Sequence, residues 1–314
     1  MQEPLHPIEE ENELVHVRLE KLQRLRERGL DPFAIERYPI THVLHEVHEH
    51  YEQLEGQTVV VAGRIFSIRP MGRATFAHLM DSTGKLQIYL KADELGERYE
   101  LIDLWDIGDY LGVTGFVFKT RTGEITVHVR EFTLLAKAIR PVPFPKEKGE
   151  HRWYGLHDVE LRHRQRYLDL LVNPDSRRRL IARCRMVSAI RRFLEDAGFL
   201  EVETPVLQPL AGGAAARPFT TYHHALDRPF QLRIALELYL KRLLIGGIDK
   251  VFEIGRVFRN EGISTRHNPE FTMLELYQAY ANLEDIMALV ERLFQHVAQT
   301  VFGTTVFEMH GVQV

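Results

Sequence analysis

The sequence predicts an α+β protein in which a small five-stranded β-barrel precedes an antiparallel sheet with flanking helices. Residues 57–136 alternate as short strands separated by glycine-containing turns, which is typical of a small barrel. Two further alternating runs, 251–261 and 271–277, enclose a polar loop with the turn residues of a β-hairpin. Helical patterns that end at glycine precede both regions, so sheets and helices are expected in each part of the chain.

Length and composition indicate a globular protein with room for two domains. The chain has 314 residues, of which 45% are hydrophobic and 27% charged, and its formal net charge is −4. Because this charge gives no general attraction to nucleic acid, an RNA contact would have to come from a local surface. The single cysteine, Cys184, excludes an internal disulfide framework and a cysteine-based zinc site. No run has the form of a signal peptide or a membrane span, so we expect a cytoplasmic protein without membrane contact.

The first 55 residues predict an N-terminal helical extension. An amphipathic helix is predicted over residues 14–28, ending at Gly29. A second helix is predicted from Thr41, as its N-cap, to about residue 54. Four histidines of this helix leave two interpretations open, a metal site or a solvated helix face. They are His42, His45, His48 and His50.

Residues 56–139 predict a barrel of the OB type, because five strands at this spacing with a helical interruption near residues 95–104 are typical of that barrel. OB barrels bind single-stranded nucleic acid by stacking bases on aromatic rings. Phe76 is the candidate stacking residue, although an aromatic side chain of a barrel can also belong to its core. The other candidates are Gln87 and Glu124 for base contacts, and Arg69 and Arg73 for phosphate contacts.

Residues 140–174 predict a linker and the approach to a second domain at 175–314. The linker part holds three prolines and alternating charge. The run LRHRQRYLDLL follows, and its arginines can contact RNA or pair within the protein, of which we favour pairing. The second domain opens with a long helix that is predicted to end near Ala197, before Gly198.

The predicted hairpin carries a charged face. Its apolar face has Phe252, Ile254 and Phe258, whereas the opposite face carries both signs of charge. Charges in a sheet rich in Phe, Ile and Leu are costly to bury unless they meet partners. A ligand with both signs of charge would supply them, and the alternative is a ladder of ion pairs on an exposed sheet face. The charged face carries Arg259, Glu261, Glu275 and Tyr277.

Several segments resemble one family. FRNE, RHNPEF and ELY resemble motif 2 of the class II aminoacyl-tRNA synthetases, and GFLEVETPVL resembles their motif 1. MGRATFAHLMD, KLQIYL and TGEI resemble the anticodon-binding domain of the lysyl-tRNA synthetases. The likeness begins near Asn12, covers nearly the whole chain and keeps the family's motif order. The chain is therefore identified as a member of the bacterial-type lysyl-tRNA synthetase family.

The resemblance implies a lysine–tRNA ligase, which uses ATP to activate L-lysine as lysyl-adenylate and transfers it to the 3′ end of tRNA(Lys). It implies a homodimer formed through motif 1, with Pro205 at the interface. It implies Mg²⁺ as a further cofactor, whose acidic ligands would lie with motif 3 after Val314, so no metal ligand is expected within these residues. We therefore expect an incomplete class II sheet, in a fragment or a natural short form that binds tRNA without lysine-dependent ATP–pyrophosphate exchange.

The resemblance also assigns roles to residues of the hairpin. Arg259 would act on the reacting phosphate of ATP, Glu261 would accept from the adenine amino group, and Phe271 would stack on the adenine ring. The further ATP-binding residues, at the tip of the loop, are Arg266, His267 and Asn268.

For the amino acid, the resemblance implies Glu275 and Tyr277 at the side-chain ammonium group. Glu237 and the backbone of Gly213 would hold the α-amino end, and Arg259 the carboxylate. In the barrel, it implies that Phe76 stacks on an anticodon base while Gln87 and Glu124 read base edges.

Other classes of function stay open beside this one. One is a tRNA-binding paralogue or truncated form without aminoacylation activity. A second is an enzyme that lysylates a protein acceptor, although relatives of that kind lack the anticodon domain. A third is a class II synthetase for aspartate or asparagine, against which RHNPEF, ELYLKRL, Glu275 and Tyr277 favour lysine.

Overall fold

The computed structural model describes residues 13–148, 151–153, 155–262, 264, 266–309 and 311–313. The chain divides into two compact units, unit 1 up to Asn173 and unit 2 from Pro174 onwards. The predicted α+β class, with a five-stranded barrel first and a sheet with flanking helices second, is confirmed. The finer division into 1–55, 56–139, 140–174 and 175–314 stays a prediction.

Unit 1 is built around the barrel. Its helices are α1 (Glu13–Glu27), α2 (Leu44–Glu49), α3 (Tyr51–Leu54), α4 (Ala92–Leu95), α5 (Val159–Arg164) and α6 (Arg166–Val172). Its strands are β1 (Thr58–Met71), β2 (Ala74–Met80), β3 (Lys85–Lys91), β4 (Tyr110–Lys119), β5 (Ile125–Ala136), β6 (Lys146–Lys148) and β7 (His151–Trp153).

The first five strands close into a barrel in the order β1-β2-β3-β5-β4. Neighbours are antiparallel except β3 and β5, which are parallel. Every second side chain points inward, and Val61, Leu79 and Ile88 are fully buried there. As predicted, a helical segment interrupts the strands, namely α4 and the 3₁₀ helix Gly96–Leu104. The alternation of apolar and polar residues in the sequence therefore correctly predicts which side chains face the inside of the barrel and which face the outside.

The predicted N-cap at Thr41 is wrong, because the backbone of Thr41 pairs with β1 through a 2.8 Å bond to the carbonyl of Val60. The helix begins at Leu44, whose N–H donates to Oδ2 of Asp81 at 2.9 Å. His50 separates α2 from α3, so the predicted single helix consists of two short ones.

The arginines that follow the linker pair within the protein, as predicted. Asp169 of α6 is fully buried and accepts from Nε of Arg162 at 2.7 Å, and Arg166 bonds the other carboxylate oxygen. Asn173 donates to the same carboxylate at 2.7 Å. A buried carboxylate needs such donors, so these arginines hold α5 and α6 together.

Unit 2 contains the predicted hairpin and its flanking helices. Its helices are α7 (Pro174–Asp196), α8 (Glu237–Ile245) and α9 (Leu283–Phe302). Its strands are β8 (Leu200–Glu201), β9 (Leu207–Gln208), β10 (Thr220–His223), β11 (Arg228–Leu232), β12 (Lys250–Phe258), β13 (Glu270–Gln278), β14 (Glu308–Met309) and β15 (Val312–Gln313).

The hairpin of β12 and β13 forms a sheet in the order β13-β12-β8, in which β8 joins parallel to β12. Its register runs from Lys250 opposite Gln278 to Phe258 opposite Glu270. One face packs through Phe252 against α7 and α9. The other face packs on α8 at Val251 and Val257.

The predicted strand to Glu261 is three residues too long, because β12 ends at Phe258. After that residue, Asn260 donates its N–H to the carbonyl of Arg217 at 2.7 Å rather than to β13. Across the described parts of both units, no helix combines the length and the apolar character needed to cross a membrane.

Candidate functional site

A cleft of about 660 Å³ opens on the outer face of the barrel. The four residues predicted to bind the anticodon, Arg69, Phe76, Gln87 and Glu124, all line it. Arg73, the other predicted phosphate contact, forms an ion pair with Asp93 instead of lining the cleft. The barrel therefore brings the four together from three consecutive strands and from the turn before β5.

The strand register arranges a row of side chains that begins in the cleft and continues across neighbouring strands. Arg69 lies opposite Phe76, Phe76 opposite Tyr89, Tyr89 opposite His128, and His128 opposite Phe116. Ring centroids along this row lie 4.8 Å, 5.0 Å and 4.7 Å apart. The row is a continuous aromatic surface, with Phe76 half-buried at its Arg69 end.

Burial lowers the pKa of the His128 imidazole, and the Glu94 carboxylate 3.0 Å from its Nε2 partly opposes that shift. His128 therefore stays neutral at pH 7 and joins the aromatic row as a ring rather than as a cation. Prediction from sequence identified Phe76 in this row and missed Tyr89, His128 and Phe116. Their alternation with buried residues was visible, but the register that aligns them was not.

A second row, which is polar, lies beside the aromatic one. Ser67 lies opposite His78, His78 opposite Gln87, and Gln87 opposite Thr126. Glu124, just before β5, meets this row from the side: its Oε1 lies 2.8 Å from Nε2 of His78 and its Oε2 2.6 Å from Nε2 of Gln87. The two predicted base-reading residues, Gln87 and Glu124, are thus bonded to each other.

In unit 2, the hairpin places Phe271, Met273, Glu275 and Tyr277 on the face that α8 covers only in part. Arg259 follows β12 and is half-buried, with its guanidinium carbon 5.3 Å from the centre of the Phe271 ring. Its Nε donates to the carbonyl of Ile234 at 3.1 Å. This bond fixes the plane of the guanidinium group and leaves the two Nη nitrogens for a ligand.

The other end of that face is acidic. Oε1 of Glu275 accepts from the N–H of Leu236 at 3.0 Å, and Oε2 accepts from the Tyr277 hydroxyl at 3.0 Å. Burial and the hydrogen bond to Glu275 raise the pKa of Tyr277 well above its usual value, so the phenol stays neutral and remains a donor. The carboxylate is thereby held in one orientation, beside the first turn of α8.

Gly213 and Glu237, predicted for the α-amino end of lysine, lie next to each other. Gly213 has φ +88°, and a Cβ there would lie 3.2 Å from the Cβ atoms of Ala235 and Glu237. Glu237 is the first residue of α8 and accepts from Nζ of Lys241 at 2.6 Å. The Lys241 ammonium also lies 5.9 Å from the centre of the Tyr277 ring. Glu237, which was predicted to bind the α-amino group of lysine, therefore binds the ammonium group of Lys241 in the free protein.

The loop between β12 and β13 carries the remaining predicted ATP residues, and their side chains are exposed. Nδ1 of His267 lies 2.9 Å from Oγ of Ser264, and the backbone N–H of Arg266 donates to the same oxygen at 3.2 Å. The structure thus brings Arg259 against Phe271 and leaves the loop residues at the surface. These residues are Glu261, Arg266, His267 and Asn268.

Prediction from sequence missed the ion pair between Arg233 and Glu253. The two side chains are 4% and 5% exposed, and Nη1 of Arg233 lies 2.6 Å from Oε1 of Glu253. The guanidinium lies over Gly255, where a Cβ would come within 2.3 Å of Nη2. Thr204 donates to the other oxygen of Glu253 at 2.6 Å. Arg233 thus neutralises the Glu253 carboxylate, which faces Glu275 across the hairpin. The sequence signal for this pair was an arginine within the apolar run LRIALEL.

Pro205, predicted for a dimer interface, is exposed between β8 and β9. Apolar residues on both sides of it are also exposed, Leu200 of β8 at 52% and Leu207 of β9 at 50%, as is Ile181 of α7 at 45%. These apolar side chains are therefore only partly covered in the single chain.

The four histidines between Thr41 and Tyr51 do not form a metal site. His48 lies 2.9 Å from the carbonyl of Lys85, and His42 lies 2.8 Å from the Thr41 hydroxyl. Within the described ranges, no three His, Cys, Asp or Glu side chains come together so as to hold a metal ion.

Comparison with known sequences defines the class of protein first. Residues 59–135 match the OB-fold nucleic acid binding domain, and residues 158–311 match the family described as tRNA synthetases class II (D, K and N). The chain thus combines an OB-fold region with a class II synthetase region.

Curated relatives identify the particular family. The lysine–tRNA ligase of Carboxydothermus hydrogenoformans is 55% identical over 98% of this chain and 61% of the relative. Those of Moorella thermoacetica and Bacillus subtilis are 54% and 51% identical, over 61% and 63% of their lengths. The chain is a homologue of the lysyl-tRNA synthetases, and it spans about 60% of the length of these relatives.

Proposed function

We propose that the protein acts as a lysine–tRNA ligase, which activates L-lysine with ATP and transfers it to tRNA(Lys). The observation that carries the proposal is the bipolar face of the hairpin. A cationic group over an aromatic ring lies at one end, and a carboxylate bonded to a tyrosine lies at the other. Phe271 and Glu275 are four residues apart on one strand, about 13 Å, which suits a ligand with an anionic end and a cationic end.

In the first step, a carboxylate oxygen of lysine attacks the α-phosphorus of ATP. The bond from that phosphorus to the oxygen bridging to the β-phosphate breaks, and pyrophosphate leaves. Negative charge grows on the phosphoryl oxygens in the transition state, so a fixed cation lowers the barrier. Arg259 fits this role because its plane is fixed through Nε, and both Nη groups remain to bridge phosphate and carboxylate.

The other residues of motif 2 would bind the adenine and the outer phosphates of ATP. Phe271 would stack on the adenine ring, and Glu261 would accept from its amino group. Arg266, His267 and Asn268 are exposed in the loop, where they would contact the outer phosphates of ATP. Orientation and electrostatics then supply the catalysis, since no residue has to act as a nucleophile.

Lysine is assigned to the acidic end of the face. Glu275 would accept from the side-chain ammonium group, and Tyr277 would hold the Glu275 carboxylate in position. Glu237 and the Gly213 backbone would bind the α-amino group, which then replaces the Lys241 ammonium on Glu237. An uncharged side chain of the same length would leave Glu275 without a cation and bind weakly.

In the second step, the 3′-terminal ribose hydroxyl of tRNA attacks the carbonyl carbon of the adenylate. The bond from this carbon to the AMP oxygen breaks, AMP leaves, and the hydroxyl proton is lost to solvent. The barrel would hold the anticodon of the same tRNA. A base would stack on Phe76, Gln87 and Glu124 would meet its edge, and Arg69 would contact a phosphate.

A homodimer and a metal cofactor belong to the same proposal. The exposed apolar residues around Pro205 support a dimer through motif 1. Magnesium would neutralise the phosphates of ATP. Among the described residues, no cluster of His, Cys, Asp or Glu fits this ion. We place the enzyme in the cytoplasm, where tRNA and ATP are available.

Lysine-dependent ATP–pyrophosphate exchange and aminoacylation of tRNA test the proposal. We expect both activities in protein expressed from its complete coding sequence, with lysine preferred over aspartate and asparagine. Binding of tRNA(Lys) without exchange would instead establish a tRNA-binding paralogue. Exchange that requires aspartate or asparagine would overturn the assignment of Glu275 and Tyr277.

A further inference from the structure

The hydrogen bonds of the polar row all lead to one carboxylate. Glu124 can only accept, so Nε2 of His78, 2.8 Å away, must carry a proton and donate to it. With the proton on Nε2 alone, Nδ1 of His78 accepts from the Ser67 hydroxyl 3.0 Å away. Both ring nitrogens are thus satisfied in one tautomer, and the ring orientation is determined.

Gln87 donates to the other oxygen of the same carboxylate. Its Oε1 accepts from the Thr126 hydroxyl at 2.8 Å, which directs Nε2 towards Glu124 at 2.6 Å. Ser67 and Thr126 therefore orient His78 and Gln87, and each of these holds one oxygen of Glu124. The remaining lone pairs of Glu124 and the second N–H of Gln87 are left for a ligand in the cleft.

Glu124 needs this support because of where it lies. It precedes β5 at the end of the turn that starts at Thr120, and its side chain is 43% exposed. A glutamate in such a place has several rotamers of similar energy. Fixing its carboxylate through two donors removes that freedom before a ligand arrives, which improves discrimination between ligands.

We infer that His78 is a positioning residue for base recognition, which holds Glu124 so that it accepts from the N3–H of a stacked uridine and rejects cytidine. The inference rests on the proposed binding of tRNA by the barrel. Uridine offers N3–H as a donor, whereas N3 of cytidine carries a lone pair. When stacking on Phe76 holds the pyrimidine ring in place, a fixed carboxylate meets the cytidine lone pair and repels it. A carboxylate that can rotate reaches the cytidine amino group instead, so discrimination is lost.

The inference predicts a particular effect of His78→Leu. Two RNAs are compared: a hairpin with a U-rich anticodon loop, and the same hairpin with one uridine replaced by cytidine. The ratio of their dissociation constants falls about three- to tenfold in the variant, the effect of one hydrogen bond. Affinity for the U-rich hairpin changes by less than about threefold, because stacking on Phe76 is kept. His78→Gln keeps an N–H donor near the position of Nε2 and restores discrimination.

Dissociation constants at one salt concentration, measured on the 314-residue chain, test the inference. Each uridine of the loop is replaced in turn, and His45→Ala, an exposed histidine of α2, is the control that should behave as the wild type. Wild-type discrimination in His78→Leu would overturn the inference, as would an equal loss of affinity for both RNAs that His78→Gln does not restore. A wild-type chain that binds neither hairpin, or Phe76→Ala with unchanged affinity, would overturn the proposed barrel function instead.

Discussion

The hydroxyl of Tyr277 donates to one oxygen of Glu275 at 3.0 Å, while the N–H of Leu236 donates to the other oxygen at the same distance. The carboxylate is therefore oriented from two sides before any ligand is bound. Burial keeps the phenol protonated by raising its pKa, so the donor is present throughout the neutral range.

Tyr277→Phe should weaken lysine binding without unfolding unit 2. The substitution removes one donor to a carboxylate, an interaction worth about 1.5–3 kcal/mol, so we expect the KM for lysine to rise about tenfold or more. Lysine-dependent exchange, measured on protein expressed from the complete coding sequence, gives this KM. Tyr280→Phe is the matched control, because Tyr280 is 97% exposed and should show the wild-type KM. An unchanged KM in Tyr277→Phe would remove this tyrosine from the lysine site.

Arg259→Lys should slow adenylate formation even though the charge is kept. The ammonium group of a lysine side chain at this position cannot donate to the Ile234 carbonyl and also bridge phosphate and carboxylate. Losing a preorganised donor costs about 10²–10³ in rate. Single-turnover formation of lysyl-adenylate at saturating lysine and ATP measures the step. The control is Arg256→Lys, since Arg256 pairs at 3.6 Å with Glu270 and is 54% exposed. Equal rates for the two variants would refute a role of Arg259 in catalysis.

Phe76→Ala should weaken RNA binding by the barrel. Stacking of a base on an aromatic side chain is worth about 1–3 kcal/mol, so we expect the dissociation constant of an anticodon hairpin to rise about tenfold or more. Fluorescence anisotropy at fixed salt measures it. Phe33→Ala is the control, because Phe33 is 52% exposed and does not line the cleft. If both variants bind as tightly as the wild type, the aromatic row is not the RNA surface.

Asp81→Asn should destabilise unit 1 in a way that depends on pH. Burial raises the pKa of Asp81, but hydrogen bonds from Leu44, Thr83 and Gly84 lower it more, so the net pKa lies below 3.8. A lowered pKa means that the ionised carboxylate stabilises the fold at pH values above 3.8, and that this contribution is lost as pH falls through the folded-state pKa. At pH 7 we expect a loss of about 1–2 kcal/mol in the variant, and little difference from the wild type at strongly acidic pH.

Chemical unfolding followed by tryptophan fluorescence reports this unit, because both tryptophans, Trp105 and Trp153, belong to it. Asp93→Asn is the control, since Asp93 forms an exposed ion pair with Arg73, which contributes little. A difference between Asp81→Asn and the wild type that persists unchanged at acidic pH would contradict the role of ionisation.

The sequence by itself determined the elements and their faces. Alternation with turn residues predicted the five barrel strands and the hairpin, because a strand with one buried face must repeat every second residue. The end of α7 before Gly198 was readable because glycine there has φ +83°. The motif 2 segment around Arg259 could be recognised from the sequence because its residues follow one another along the chain. Where a boundary depended on a distant partner, as at Thr41 and after Phe258, the prediction was wrong.

Only the tertiary structure decided which side chains meet. Ser67, His78, Gln87 and Thr126 form one row because closure of the barrel sets the register of four strands. Likewise, Arg233 reaches Glu253 because Gly255 leaves room for its guanidinium group. Local periodicity specifies the direction in which a side chain points, but not the strand that will lie beside it. That choice depends on the packing of the whole core, which no stretch of sequence contains on its own.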